Sequence, residues 1–450
     1  MTLLLILIPL MVSFLIGYFL IRLIVGKDKK IDPLLLLFLA FGLGLGVSAA
    51  MTFLNFILFN EFNRSFIVGA NLSLLLSLIA AHYRREKKIF SGLKSLSRED
   101  AALLILLLAA SFPLWPYAML FPYGGWDAWQ VWNLKARFLF LGGENWKNMF
   151  DPILWRTSPH YPILLPLINV WTWSFLPVPV ELGPLVMSML LTVLTAGLLM
   201  AALKPFIPAK FSILAPLLFL TLPFYVKLSI SQYSDVILAY FLLAALVCLI
   251  RAKIDAEKSY AVLAGSFLGF LSFTKPEGLI ASLIVIALAF PYLLWFKNPS
   301  LNSKKLIKPF LIAIAIAFIP TILFQLLYSP GNQTFINGLV SLEKPADLDR
   351  FKFIWNYFYE ELRSEKWHWI WGILTLGLVF SRGKCFNRQI VIIPAFLFAY
   401  LTVIMVYYYV NTYFEIEWWM QVTLNRILIS LLPTVVFWVF YSLWGEKKDI

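Results

Sequence analysis

Long apolar runs recur from one end of the chain to the other, each near the length of about 20 residues that a helix needs to cross a bilayer. The membrane interior offers no hydrogen-bonding partners to the backbone, so runs of this kind satisfy their backbone groups by forming helices. Only 14% of the residues are charged, whereas a soluble domain is about a quarter charged. The sequence therefore predicts an all-α fold, a polytopic transmembrane helical bundle.

The first apolar run, Thr2–Val25, is predicted to be a span. It lacks the basic segment and the small-residue cleavage site that mark a secretory signal. The two cysteines, Cys248 and Cys385, lie far apart, in an apolar run and in a basic loop. They therefore predict neither a disulfide framework nor a metal site.

Lysine and arginine are concentrated in short segments between the apolar runs, and these segments predict the topology. Short basic loops stay in the cytoplasm, which gives about 13 crossings of the cell membrane and places the loops 122–162, 329–367 and 411–421 outside. The net charge of +13 is then explained by topology, and no nucleic-acid partner is expected. The basic segments are 26–30, 82–88, 251–253, 297–305, 381–388 and 446–448.

The apolar segment 163–176 does not fit this alternation of sides. It is short, lies between prolines and is rich in tryptophan. We predict a partial helix or an interfacial helix here rather than a full crossing.

The first large external loop contains the unusual stretch Tyr123–Phe140, YGGWDAWQVWNLKARFLF. In a helix, four polar residues share one side, while tryptophans and other apolar residues cover the rest. The four are Asp127, Gln130, Asn133 and Arg137. The pattern predicts an amphipathic helix in the membrane interface. Two interpretations remain open: a tryptophan anchor whose polar side only meets water, or a helix that presents Asp127 for chemistry.

Further ionisable residues are predicted at the same outer side of the membrane. His160 lies in SPHYP, Asp235 in SQYSD, Lys275 and Glu277 in TKPEG, and Arg426 in TLNRILISLLP. Charges near the membrane interior are costly and usually face the bundle, so each of these residues is a candidate for function. Structural alternatives exist. Asp235 could cap its helix, Arg426 could extend to the interface, and Lys275 could pair only with Glu277.

Carboxylates and cations beside a lipid phase suit a reaction on an amphiphilic, phosphorylated substrate. A carboxylate would act as the general base, and Lys or Arg would hold the phosphate leaving group. A proton or ion transporter would instead place its charges near the bilayer midplane, on broken helices of repeated halves. The sequence shows no such paired repeat.

The order of these motifs resembles the GT-C superfamily of membrane glycosyltransferases. It is similar in particular to bacterial family-39-like enzymes, relatives of protein O-mannosyltransferases and of the aminoarabinose transferase of lipid A. The motifs are the Asp127 helix, HYP followed by LLP, QYSDVILAYF, FLSFTKPEGL and TLNRILISLLP. The resemblance begins near Ala101, which predicts a three-span N-terminal extension at 1–98 and a GT-C-like catalytic membrane domain at 99–450.

The resemblance implies an inverting glycosyltransferase with a polyprenyl-phosphate sugar as donor and an extracytoplasmic active site. Asp127 corresponds to the catalytic acid of the family's first loop, which would deprotonate the acceptor. The resemblance places His160 near the donor, implies that Asp235 binds or orients the substrate, and implies that Lys275 and Arg426 contact the lipid phosphate. Further substrate-binding candidates are Glu277, Lys135 and Arg137, the last two as phosphate ligands.

Departures from the family pattern leave the acceptor open. Ala128 stands where related enzymes have Glu after the first acid, and Tyr161 replaces the first proline of the HPP segment. A glycan, lipid or protein acceptor is expected to bind the membrane domain's own loops, where aromatic and acidic residues are dense. No metal ligands and no certain cofactor are predicted, and a divalent metal is left as an alternative.

Two other classes of protein remain as alternatives. One is a transporter or flippase of a lipid-linked or anionic substrate. The other is an O-antigen ligase or polymerase, which would use a large external loop with essential arginines. The segment Ser329–Lys366 has only Arg350 and Arg363, which weakens the second alternative.

Overall fold

The structure, a computed structural model, describes residues 1–26, 31–87, 96–294, 304–332 and 347–445. These residues form helices and no β-strand, so the predicted all-α fold is confirmed. Parts of several predicted basic segments and of the loop 329–367 lie outside the described residues.

The α-helices are numbered in chain order. The first eleven are α1 (Thr2–Val25), α2 (Pro33–Phe59), α3 (Arg64–Glu86), α4 (Arg98–Ala110), α5 (Leu114–Leu120), α6 (Asn133–Leu141), α7 (Leu164–Trp173), α8 (Leu182–Leu203), α9 (Ala209–Ser212), α10 (Leu214–Leu220) and α11 (Pro223–Ser229). The others are α12 (Ser234–Asp255), α13 (Lys258–Ser272), α14 (Pro276–Leu294), α15 (Lys304–Ala317), α16 (Ile319–Leu327), α17 (Leu348–Arg363), α18 (Ile370–Phe380), α19 (Ile392–Val410) and α20 (Ile416–Trp444). A π-helical turn spans Ala128–Trp132, and 3₁₀ helices span Gly143–Phe150, Pro152–Thr157, Glu365–Trp367 and Lys384–Phe386.

Among the described residues, 10 helical segments are long and apolar enough to cross a membrane, or 11 if the bent pair ending in α11 counts as one. The predicted total of about 13 crossings is not confirmed. Two of the predicted crossings are short, since α13 has 15 residues and α18 has 11. They rise only about 22 Å and about 16 Å, less than the hydrocarbon thickness of about 30 Å.

The segment 163–176 contains α7, a helix of 10 residues. Such a helix rises about 15 Å, half of the hydrocarbon core. Every residue of α7 is buried. The segment therefore contains a short helix rather than a helix long enough for a full crossing, as predicted.

Helix α12 lies at the centre of the bundle. It is apolar on all sides, and nearly all of its residues are buried. It packs against α2, α8, α13, α14 and α20. The first residues of α12 therefore face an enclosed region where several other helices also begin.

The first two helices approach each other closely because small residues line their contact. A Cβ atom on Gly17 would lie 1.9 Å from the Ala40 carbonyl oxygen, so only glycine fits there. The Ser13 and Ser48 hydroxyls are 2.9 Å apart, and Trp171 of α7 donates to Ser13 Oγ at 2.9 Å. The α1–α2 pair thus packs directly on α7. The division of the chain at residue 98 stays a prediction.

Two helix N-termini are joined at one end of the bundle. Asp32 caps α2 by accepting hydrogen bonds from two backbone N–H groups, and Ser97 forms a capping box with Asp100 at α4. Both capping carboxylates also bind Lys204, which follows α8. The same caps that start these helices therefore fix their positions relative to α8.

The two ends of the bundle contain different groups of residues. Arg251, near the end of α12, lies over the ring of Phe206 beyond α8, and Lys253 donates to the Arg388 carbonyl at 2.9 Å. The beginnings of α12, α14 and α20 meet at the opposite end. This grouping agrees with the alternation of sides predicted from the basic segments. Which end is extracytoplasmic stays a prediction.

Candidate active site

The loop 122–162 begins with a tight turn. Gly124 has a φ of +73°, a left-handed conformation that glycine adopts without strain. The π-helical turn that follows rotates the later residues relative to the earlier ones. Trp126 and Trp129 are exposed, with ring centroids 4.6 Å apart, whereas Trp132 is fully buried. The helix predicted over Trp126–Phe140 is present and contains this π-helical turn. Its polar residues Asp127, Gln130, Asn133 and Arg137 are partly or fully exposed, but Trp126 and Trp129 are exposed as well.

Hydrogen bonds hold this turn against the segment before α12. The Gly125 N–H donates to the Ser231 carbonyl at 3.0 Å, and Gln232 Nε2 donates to the Pro122 carbonyl at 3.0 Å. Asn133 Nδ2 donates to Gln232 Oε1 at 2.7 Å. Asp127 lies inside this braced turn, so its position depends on residues about 100 positions later in the chain.

Five charged side chains meet beside the turn, and we call them the charged cluster. They are Asp127, Asp235, Lys275, Glu277 and Arg426. Arg426 Nη1 donates to Asp127 Oδ2 at 2.6 Å, and Arg426 Nε donates to Asp235 Oδ2 at 3.0 Å. Lys275 Nζ donates to Asp235 Oδ1 at 2.6 Å and lies 3.8 Å from Glu277 Oε1. The structure thus brings together five of the eight predicted site residues.

The charged cluster has a buried side and a partly exposed side. The side chains of Asp235 and Lys275 are only 5% and 3% exposed. Those of Asp127 and Arg426 are 24% and 18% exposed. A substrate can therefore reach Asp127, while the pair beneath it is shielded from water.

The purely structural roles considered for Asp235, Arg426 and Lys275 do not fit this geometry. Tyr233 is at the N-cap position of α12, and the Asp235 carboxylate binds two cations rather than the helix end. Arg426 binds two carboxylates and does not extend to the interface alone. Lys275 lies closer to Asp235 than to Glu277.

Tyr233 is a site residue that the sequence motifs do not single out. The Arg426 guanidinium carbon lies 4.6 Å from the centroid of its ring, a favourable cation–π contact. The Tyr233 hydroxyl hydrogen-bonds to the backbone of Asp127, and burial raises the pKa of Tyr233 above its ordinary value. Its sequence signal is the position of Tyr233 in SQYSD, two residues before Asp235.

Glu277 faces a group of tyrosines. Its Oε2 atom is buried and has no hydrogen-bond partner among the described residues. Helix α14, which begins beside Glu277, packs on α19, and three tyrosines of α19 lie within electrostatic range of the carboxylate: Tyr400, Tyr407 and Tyr408. Burial, and then the charge of Glu277, raise the pKa of Tyr161 above its ordinary range. Tyr400 and Tyr408 are fully buried, so Tyr161 and Tyr407 are the partly exposed tyrosines of this group.

The other three predicted residues lie outside the charged cluster. Arg137 pairs with Glu181 at 2.6 Å on the exposed surface. Lys135 is fully buried and donates to the Ser158 carbonyl at 2.6 Å. Burial and the charge of Lys135 lower the pKa of His160 to about 4. Burial alone lowers the pKa of Lys135 to about 7.

We expect Lys135 to make the stability of the protein rise with pH between about 7 and about 10. In this window the unfolded chain holds a proton on Lys135, whose ordinary pKa is 10.5, while the folded protein has released it. Lys135→Met should therefore gain stability relative to the parent protein as the pH falls through the window. Thermal unfolding midpoints at both ends of the window measure this. An equal difference at both pH values would contradict the lowered pKa.

The described residues contain no group of three or more His, Cys, Asp or Glu side chains that could hold a metal ion. Asp127 and Asp235, the carboxylates that come together, share the Arg426 guanidinium instead. The donor set for the divalent metal left open by the sequence is therefore not assembled in this part of the chain.

Comparison with known proteins gives a match to a family model. Residues 175–324 match the family of dolichyl-phosphate-mannose-protein mannosyltransferases. The match covers one third of the chain, which includes Asp235, Lys275 and Glu277. No curated protein and no solved structure matches the chain.

The match confirms the resemblance to membrane glycosyltransferases of the GT-C superfamily and supports glycosyltransferase activity. Together with the many apolar helices, it implies a multi-pass membrane protein. Asp127 and Arg426 lie outside the matched residues, but both are linked by hydrogen bonds to the matched part through Asp235.

Proposed function

We propose that the protein is an inverting glycosyltransferase that moves a sugar from a polyprenyl-phosphate donor to an acceptor at the extracytoplasmic face of the cell membrane. The observation that supports this most directly is the link from Asp127 through Arg426 to Asp235. It places a partly exposed carboxylate above a buried ion pair at the end of the bundle. The family match supports the reaction class.

In the proposed reaction, Asp127 takes the proton of an acceptor hydroxyl as the hydroxyl oxygen attacks the anomeric carbon of the sugar. The bond between this carbon and the phosphate oxygen breaks on the opposite face. The bonding electron pair leaves with the phosphate, which gives polyprenyl phosphate. Because attack and departure occur on opposite faces, the anomeric configuration inverts.

Arg426 is assigned a positioning role. It binds Oδ2 of Asp127, and we assign Oδ1 of the same carboxylate to the acceptor proton. Its second partner, Asp235, is itself held by Lys275. A base oriented in advance by fixed partners loses little freedom on reaching the transition state.

The donor sugar is assigned to the side of the site lined by Glu277. The Glu277 carboxylate is 24% exposed and can accept hydrogen bonds from sugar hydroxyls. The partly exposed Tyr161 and Tyr407 supply stacking surfaces and hydroxyl groups. The acceptor, a glycan, lipid or protein, is assigned to the loop 411–421 and to α17. The exposed aromatic residues of α17 include Phe351, Trp355 and Tyr359.

We expect the purified protein to release polyprenyl phosphate from a labelled polyprenyl-phosphate sugar when an acceptor is present. In membrane vesicles, transfer should require the acceptor on the extracytoplasmic side, because the charged cluster opens at one end of the bundle. Right-side-out and inverted vesicles with a membrane-impermeant acceptor measure this. Transfer that is equal in both orientations of sealed vesicles would contradict the assigned side.

The same vesicles distinguish the alternative functions. Movement of the label across the membrane without a new glycosidic bond would indicate a transporter or flippase. The ligase alternative gains no support from the external arginines. Arg350 donates to the Tyr408 and Asn411 carbonyls at 2.8 and 2.7 Å, and Arg363 donates to the Tyr359 hydroxyl at 3.1 Å.

A further inference from the structure

The charged cluster has no free positive charge for the donor phosphate. Its three carboxylates outnumber its two cations, Lys275 and Arg426. Lys275 is buried against Asp235, and Arg426 binds two carboxylates. An anionic phosphate would meet a net negative charge here, so a cation beside the cluster has to hold it.

A groove of about 360 Å³ lies directly beside the charged cluster. It follows the turn that leads into Asp127, and its far wall comes from α11 and the segment before α12. Tyr233 belongs both to this groove and to the site, since its ring packs on Arg426. The groove is lined by Phe121, Gly124, Gly125, Trp126, Trp129, Lys227, Leu228, Ser231 and Tyr233.

Lys227 is the charged residue in this groove. The bent pair of helices that ends in α11 turns by 78°, and Lys227 lies in the last turn of α11. Lys227 is exposed, and its Nζ lies 5.6 Å from the centroid of the Phe121 ring. No carboxylate among the described residues pairs with it. A cation in an aromatic groove without a counter-ion favours an anionic, partly apolar ligand.

The approach to the groove is apolar. Large exposed side chains follow the span formed by α4 and α5 and continue into the turn. In a membrane these side chains face lipid, so an isoprenoid chain in the outer leaflet can lie along them. They are Phe112, Trp115, Met119, Leu120 and Tyr123, and beyond them Trp126 and Trp129.

We propose that this groove binds the phosphate and the first isoprene units of the donor lipid, with Lys227 as the phosphate ligand. The proposal rests on the proposed function. In it, Lys227 binds the donor phosphate in place of Lys275 and Arg426, the phosphate ligands that the resemblance implies. The phosphate lies beside Tyr233, the anomeric carbon lies next to Asp127, and the rest of the sugar extends past Arg426 toward Glu277. Trp126 and Trp129 contact the isoprenoid chain.

The test is equilibrium binding of radiolabelled farnesyl phosphate to the full-length protein in lipid nanodiscs. Lys227→Gln should weaken this binding about tenfold, because a charge-assisted hydrogen bond to the phosphate is lost. Binding of farnesol, which lacks the phosphate, should not change. Lys227→Arg should keep most of the affinity for farnesyl phosphate. Trp126→Ala should weaken the binding of both ligands.

Lys210→Gln is the matched control, since Lys210 is also exposed and also lies over a phenylalanine ring, at 5.2 Å from the centroid. It should leave both affinities unchanged. The proposal would be overturned if Lys227→Gln bound farnesyl phosphate with the affinity of the parent protein. It would also be overturned if millimolar inorganic phosphate competed for the site as well as unlabelled farnesyl phosphate does. The assay needs no sugar transfer. Loss of binding in Lys227→Gln without any turnover of the parent protein would reject the proposed function and leave the groove assignment intact.

Discussion

Asp127→Asn is expected to lower the turnover number by about 10²- to 10⁴-fold, the range that a general base contributes. The amide oxygen of Asn can still accept the hydrogen bond that Arg426 donates to Asp127 at 2.6 Å. The turn and the charged cluster should therefore keep their positions, but the side chain can no longer take a proton. The initial rate of polyprenyl phosphate release at saturating donor measures the effect, and farnesyl phosphate binding reports an intact groove.

The control for this substitution is Glu144→Gln in the same loop. Glu144 is exposed and has no ion-pair partner among the described residues, so its loss should not change the rate. Full activity of Asp127→Asn would remove Asp127 from the role of base. In that case Glu277, the other partly exposed carboxylate of the charged cluster, would be the next residue to substitute.

Hydropathy and charge predict the bundle well because they depend on local sequence. In a membrane, a run such as Ser234–Asp255 must be helical, whichever helices surround it. Span length is harder to predict. Helix α13 has only 15 residues and α18 only 11, although each lies in an apolar run that predicts a full crossing.

The composition of the site was predictable, but its pairing was not. Asp127 and Arg426 are 299 residues apart, and no local pattern indicates that they meet. Lys275 binds Asp235, 40 residues away, although Glu277 lies two residues from it in sequence. Which charged side chains form ion pairs depends on how α12, α14 and α20 pack together. Local sequence patterns do not reveal that packing.

Lys135 follows the π-helical turn and is fully buried. At about 3.6 residues per turn, a regular helix already places Lys135 on the same side as Ala128 and Leu139, away from Asp127, so its burial follows from the helical period. Ala128 lies in the same turn and is fully buried, and a Cβ on Gly124 would be 2.8 Å from it. A Glu at position 128, as in the related enzymes, would therefore require a different turn.

Substitutions of the buried pair Asp235 and Lys275 should be strongly coupled in their effects on stability. Combining them should not restore activity. Asp235→Asn leaves Lys275 buried without its partner at 2.6 Å, and removal of one partner of a buried pair costs about 3–5 kcal/mol. Lys275→Met leaves Asp235 with Arg426 alone. The double variant removes both charges, so its loss of stability should be smaller than the sum of the single losses by about 1–3 kcal/mol. Denaturation in mixed micelles with dodecyl sulfate measures the three free energies.

Activity separates this pair from a purely structural one. The double variant should regain stability but stay inactive, because Arg426 then lacks the second carboxylate that orients it toward Asp127. Asp349 and Lys352 form the control pair, 3.6 Å apart and exposed, and their cycle should show no measurable coupling. Additive losses for Asp235 and Lys275 would mean that each charge is stabilised by other groups. A stable and active double variant would mean that Asp127 is oriented without Asp235, and the positioning role assigned to the buried pair would be wrong.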